Sequence, residues 1–210
     1  MPRFGHSPHS SMQHLNGNLL CAIDVETTGL IPGKHDIIQL AILPLDSQIK
    51  PSSTAPPFCI NMKPKRPENI DQGALKVNRV EFASLLINGF DPWKALDMLD
   101  EYFERLRLPV NKKIVPLGHN FIFDSAFLKE WMGELTYEHI FDFRYRDTMV
   151  AASFVNDRCD FRNEKFAYPK LSLSYLCSQL RVENVKAHDA LSDTVATAEC
   201  YRRLLGSFIP

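Results

Sequence analysis

No apolar run in this 210-residue chain approaches the length needed to cross a bilayer, so a soluble protein is expected. Cysteines at metal-site or redox spacing are also missing. Cys21, Cys59, Cys159, Cys177 and Cys200 are odd in number and scattered, and no CxxC occurs among them. They read as reduced thiols of a cytoplasmic protein, three of them packed in the core. An excess of either charge is lacking too: 24 basic and 25 acidic residues leave a net charge of −1. Proteins that wrap long duplex DNA carry a basic excess, so a nucleic-acid partner, if there is one, would be held at a strand end over a short footprint. The first 18 residues contain no acidic residue and no apolar stretch of a secretory signal, and Arg3 alone makes a poor transit peptide. This Ser-, His-, Pro- and Gly-rich segment reads as a flexible tail, in which His6, His9 and His14 have no metal-binding logic. Internal repeats are absent.

What is present is ample for a core: 45% hydrophobic residues, 14 of the 210 being Phe. Residues 19–210 read as one domain. Leu19–Val25 and Asp36–Asp46 form two strands, with Pro44 at an edge or a strand end. A Pro/Ser-rich connector over 47–57 leads to a third strand near Phe58–Met62. The basic stretch Lys63-Pro64-Lys65-Arg66-Pro67 then precedes a short helix around 71–76. Asp91-Pro92 opens a helix whose Leu96, Leu99, Phe103 and Leu106 recur at three and four residues. Lys113–Leu117 is a fourth strand, followed after Gly118 by a helix to about Met132. The spacing predicts a fifth strand over Ile140–Arg144 and a helix capped by Asp147 and running to about Val155. Residues 157–169 form a loop that alternates bases with aromatics. Its acidic residues favour a solvated loop over a stacking platform for single strands. Helices over Leu171–Leu180 and Ala190–Leu205 complete a mixed α/β plan that is not strictly alternating.

Three clusters carry chemistry. In Asp24-Val25-Glu26-Thr27-Thr28-Gly29, the two carboxylates leave the same face of the first strand. At ~5 Å they would repel by roughly 3 kcal/mol at an effective dielectric of ~20, a penalty that a divalent cation turns into a binding site. Gly29 lets backbone and ligand approach closely. The plainer reading is a strand end facing water. Gly118-His119-Asn120-Phe121-Ile122-Phe123-Asp124 puts Asp124 in the first turn of a helix, where the dipole favours negative charge. His188-Asp189-Ala190-Leu191-Ser192-Asp193 opens the last helix. Positions five apart differ by about 140° on a helix, so His188 and Asp193 converge only if His188 lies on the preceding loop with Asp189 as N-cap. An imidazole, which changes charge near neutral pH, would then sit as a base beside a metal ligand.

In order and in register, DxETTG, GHNxxFD and HDALSD resemble the motifs of the DnaQ-like DEDD-type 3′-to-5′ exonucleases, histidine subgroup. The resemblance covers about residues 19–205, including Ala74–Asn78 as the short helix after the third strand. It implies a ribonuclease H-like α/β fold, a mixed five-stranded sheet with helices on both faces, and makes 19–210 the exonuclease domain. The four acidic ligands fall on Asp24, Glu26, Asp124 and Asp193, and the general base on His188. Two Mg²⁺ ions, replaceable by Mn²⁺, would serve hydrolysis of the terminal phosphodiester and release of 5′-mononucleotides. By the same resemblance, backbone amides around Glu26 and Thr27 would hold the 3′-hydroxyl. Leu30 would pack on the last base, with Asn120 and Phe123 flanking it; core packing is the plainer role for Leu30 and Phe123. The expected partners are single-stranded DNA or RNA 3′ ends, with a polymerase or a second copy of the chain also compatible. A silent scaffold of the same fold is the alternative, and the filling of all five positions argues against it.

Overall fold

The computed structural model describes residues 12–78 and 82–206. Its sheet has five strands: β1 (Leu19–Thr27), β2 (Ile37–Pro44), β3 (Phe58–Asn61), β4 (Ile114–Gly118) and β5 (Arg146–Asp147), in the order β3-β2-β1-β4-β5. β1–β2 and β2–β3 pair antiparallel, β1–β4 and β4–β5 parallel, which gives the expected mixed sheet. Pro44 closes β2, where its missing N–H costs no ladder bond. The helices are α1 (Gln72–Asn78), α2 (Phe82–Asn88), α3 (Pro92–Leu106), α4 (Phe121–Met132), α5 (Glu134–Ile140), α6 (Thr148–Phe161), α7 (Leu173–Leu180) and α8 (Ala190–Gly206). Among the described residues, no helix is long and apolar enough to cross a membrane.

The two faces of β1 bury different layers, because alternate side chains leave opposite sides of a strand. Leu19, Cys21, Ile23 and Val25 pack with Ala95 and Leu99 of α3 and Phe127 and Leu128 of α4. Leu20 and Ala22 pack on the other side with Ala198 of α8. A further cluster joins α6, α7 and α8 through Val155, Leu176, Ala196 and Cys200. Asp24 and Glu26 continue the even-numbered row, so they leave the face that carries α8.

Four expectations need correction. Ile140–Arg144 is not a strand: Tyr137 and Phe141 stack one helical turn apart, ring centroids 4.9 Å, at the end of α5. Phe141 makes only an isolated bridge to Ile114, and Asp142 then turns the chain by accepting hydrogen bonds from Arg144 N and Nε, each at 2.9 Å. Pairing resumes only at Arg146–Asp147. Helix α6 runs on to Phe161 because Cys159 extends the buried stripe of Ala152 and Val155, so residues 157–161 are helical and not loop. The flexible tail fails over 12–18, where Leu15 is buried against Leu20 and Val115 and the Asn18 side chain accepts from Lys113 N at 2.9 Å. Residues 1–11 lie outside the described residues. Four cysteines are buried rather than three, and only Cys59 is exposed.

Candidate active site

The site assembles where β1 outruns its parallel neighbour. β4 pairs with β1 only from Leu19 to Ala22, so Val25 has no β4 residue beside it. The Asp124 carboxylate takes that place and accepts the Val25 N–H at 2.9 Å, which fixes it between Asp24 and Glu26 along the chain. On the β2 side the register shifts between Glu26 and Thr27, a bulge that bends the strand beside Glu26. Gly29 follows, and its missing side chain makes room for a neighbour: a Cβ would lie 2.5 Å from the His35 ring. The close approach read from sequence is thus made by His35, whose Nδ1 accepts from Ile31 N at 3.0 Å.

Asp193 comes from the first turn of α8, whose start is tied to the sheet. Gln39, opposite Glu26 in the ladder, accepts the Ala190 N–H at 2.7 Å through its side-chain oxygen. Asp189 accepts from Ser192 N at 3.1 Å, as an N-cap does. His188 precedes it in the left-handed region, φ 67°, with its own N–H donated to Asp193 Oδ2 at 3.2 Å. Asn184 Nδ2 donates to the other oxygen, Oδ1, at 2.6 Å. Glu26, His188 and Asp193 each offer a ligand atom, and these atoms lie within 4.8 Å of one another. His188 itself is exposed, while Glu26 and Asp193 are buried.

Burial sets the electrostatics of this group. It pushes Glu26 up to about 8, with Asp193, Asp124 and Asp189 adding repulsion. Asp24 is raised well above the usual carboxylate range by desolvation and then by Asp124, Glu26, Asp193 and Asp189. Desolvation likewise raises Asp124 against the opposing Val25 hydrogen bond, and Asp193 against those of Asn184 and His188. The charges that act on these carboxylates are mainly those of the other acidic groups, with the His188 imidazole opposing them at Asp193. A set of hard oxygen donors held together against mutual repulsion fits a divalent cation.

The Gly118–Asp124 turn is held from β5. Asp147 accepts from Asn120 N at 3.1 Å and Phe121 N at 2.7 Å while also capping α6 through Met149 N at 2.8 Å. That carboxylate replaces the side-chain cap that Asn120, itself at φ 61°, does not provide. His119 Nδ1 lies 2.8 Å from Thr148 Oγ1, and desolvation lowers the His119 pKa. The remaining candidates differ in environment. Thr27 is buried with its hydroxyl donated to Gly29 O at 2.7 Å. Leu30 is 74% exposed, so core packing is not its role, whereas Phe123 is half-buried against Phe127 with centroids 5.0 Å apart. Gln39 and Asn184 escaped the sequence reading, which had His119 only as a member of the Gly118–Asp124 cluster and Asp147 only as a helix cap. A lone polar residue inside the apolar run Ile37–Leu43 was the one available signal for Gln39.

A mixed five-stranded sheet in this strand order, with helices packed on it, is a ribonuclease H-like fold. The family model for exonucleases of the ribonuclease T type matches residues 21–201. The chain therefore belongs to that family and is a 3′-to-5′ exonuclease of the histidine-containing DEDD class, acting on nucleic acid. It is 27% identical to ribonuclease T of Wigglesworthia glossinidia brevipalpis over 192 residues, covering 85% of this chain and 80% of that protein. It is 24% identical over 185 residues to the 3′-5′ DNA exonuclease Cap18 of Escherichia coli, covering 88% of this chain and 90% of the relative. In fold it resembles E. coli exonuclease I solved with single-stranded DNA: TM-score 0.71, 20% identity, 91% of this chain and 41% of the other. The chain thus spans about two fifths of exonuclease I.

Proposed function

We propose that this chain removes nucleotides one at a time from the 3′ end of single-stranded DNA or RNA, releasing 5′-mononucleotides. The observation that carries this reading is the convergence of Glu26, His188 and Asp193 beside Asp24 and Asp124, four buried carboxylates whose charges repel one another. Asp24, Glu26, Asp124 and Asp193 would hold two divalent ions, Mg²⁺ or Mn²⁺ being favoured by the all-oxygen donor set. Bound there, such ions supply activation of a water and stabilisation of the leaving 3′ oxygen. His188, on the exposed loop, takes the proton of the attacking water on a ring nitrogen. The hydrogen bond from its backbone N–H to Asp193 keeps that ring beside the carboxylates. Thr27 and the adjacent amides hold the terminal hydroxyl, exposed Leu30 meets the last base, and Asn120 and Phe123 flank that nucleotide.

The relatives carry names for both substrates, a ribonuclease and a DNA exonuclease. Matched 3′-labelled DNA and RNA oligomers, digested side by side with Mg²⁺ and with EDTA, test the reading. Stepwise, EDTA-sensitive release of 5′-mononucleotides is expected from at least one series. Its absence from both would falsify the proposal.

A further inference from the structure

The basic stretch Lys63–Arg66 does not enter the mechanism above, and its position is informative. Asn61 lies opposite Gln39, which lies opposite Glu26, so β3 delivers this stretch at the same sheet end as the carboxylates. Arg66 is consumed structurally. Its guanidinium donates to Asp36 at 2.7 Å and to the Gly33 carbonyl, and its N–H meets Asp36 Oδ2 at 2.6 Å. Those bonds tie the Lys63–Arg66 stretch to the segment that follows exposed Leu30 and Ile31.

Lys65 and Trp93 are placed differently from Arg66 and from the other tryptophan. Lys65 Nζ stands 4.7 Å from the centre of the Trp93 ring, and that indole is 67% exposed. Trp131 is buried, with Nε1 donated to Pro92 O at 3.2 Å, so burial is available to an indole on this face and Trp93 does not take it. A cavity of about 280 Å³ beside them is lined by Lys63, Lys65, Arg66 and Trp131, with Glu130 as an opposing charge. An exposed indole offers a π-face to any base, and an ammonium over it offers a partner to the adjoining phosphate. The net charge of −1 makes this pairing a local feature, set against four carboxylates that repel phosphates close by.

We propose that Trp93, Lys65 and Lys63 form an outer subsite for single-stranded nucleic acid, stacking a base upstream of the 3′ end and holding its phosphate. This rests on the exonucleolytic reading of the candidate site. The strand passes from the carboxylates over Leu30 and Ile31 to the indole, where the base displaces the Lys65 ammonium onto phosphate.

Intrinsic fluorescence of the full chain, titrated in EDTA with an oligonucleotide of ~8 nucleotides, reads this subsite without turnover. Quenching is expected, absent in Trp93→Phe and shifted to about tenfold higher oligomer concentration in the Lys63→Glu/Lys65→Glu variant. In the hydrolysis assay, Trp93→Ala should shrink the KM advantage of the octamer over a dinucleotide by about fivefold or more. No quenching, quenching indifferent to both lysines, or an unaltered KM ratio overturns the subsite. Quenching without Mg²⁺-dependent hydrolysis by the parent keeps the subsite and removes the catalytic reading, so the two failures are separable.

Discussion

Gln39 accepts the backbone N–H of Ala190 at 2.7 Å, joining the strand opposite Glu26 to the first residue of the helix that carries Asp193. A helix N-terminus has four N–H groups without helical partners, and here one of them is answered by the sheet. The bond sets the separation of Glu26 and Asp193 without Gln39 being a ligand itself.

Gln39→Ala leaves that buried N–H unpaired, so a loss of about 1–3 kcal/mol is expected in urea unfolding. Loosening Asp193 should also weaken Mn²⁺ binding by about 10–100-fold, measured by calorimetry. Parental affinity in a destabilised variant would mean that Gln39 supports the fold alone.

Asp24→Asn should abolish turnover yet raise the metal-free melting temperature at pH 8 by about 2–4 °C, since it removes a charge repelled by Asp124, Glu26 and Asp193. Scanning calorimetry in EDTA and a nucleotide-release assay read the two effects. Wild-type turnover in this variant removes Asp24 from the ion site.

The metal-free protein should lose stability as pH rises. Burial lifts Glu26 to about 8 and raises Asp24, Asp124 and Asp193 as well. Between about pH 4.5 and 8 the native state therefore keeps protons that the unfolded chain has released, and stability falls towards the upper end. Mg²⁺ should reverse the trend, with its largest stabilisation near pH 8, because binding displaces those protons. Melting curves across this interval, with and without Mg²⁺, check the sign. A metal-free melting temperature that climbs with pH contradicts the repulsion.

His188→Ala should slow hydrolysis by about 10²–10⁴-fold near neutral pH while Mn²⁺ affinity stays at the parental value. Parallel losses in rate and affinity would instead make His188 a ligand, which its distance from Glu26 and Asp193 also allows. Single-turnover rates and calorimetry on the same variant separate the two roles.

Much of the site was legible because its motifs obey local periodicities. Asp24 and Glu26 share a face by strand alternation, Asp147 and Asp189 cap their helices, and His188 stands off the helix that holds Asp193. The misreadings have two different causes. Ile140–Arg144 carries a strand-like composition, but Tyr137 stacks on Phe141 and draws the segment into a helix end. Residues 157–161 look like loop until Cys159 is seen to face the α7–α8 cluster. The first is one local pattern, aromatics at i and i+4, overriding another; in the second, packing from elsewhere overrode a weak local preference.

The sequence by itself determined the first four strands and most of the longer helices, the order of the three motifs and the identity of the candidate ligands, because spacing and capping act within a few residues. Tertiary structure alone decided that β4 stops short and leaves the Val25 N–H to Asp124, 99 residues away. It alone decided that Gln39 reaches Ala190 across 151 residues, that His35 fills the space beside Gly29, and that Trp93 stays in solvent under Lys65. The physical reason is that such contacts satisfy buried polar groups or expose apolar ones according to which elements meet, and no local pattern encodes the partner.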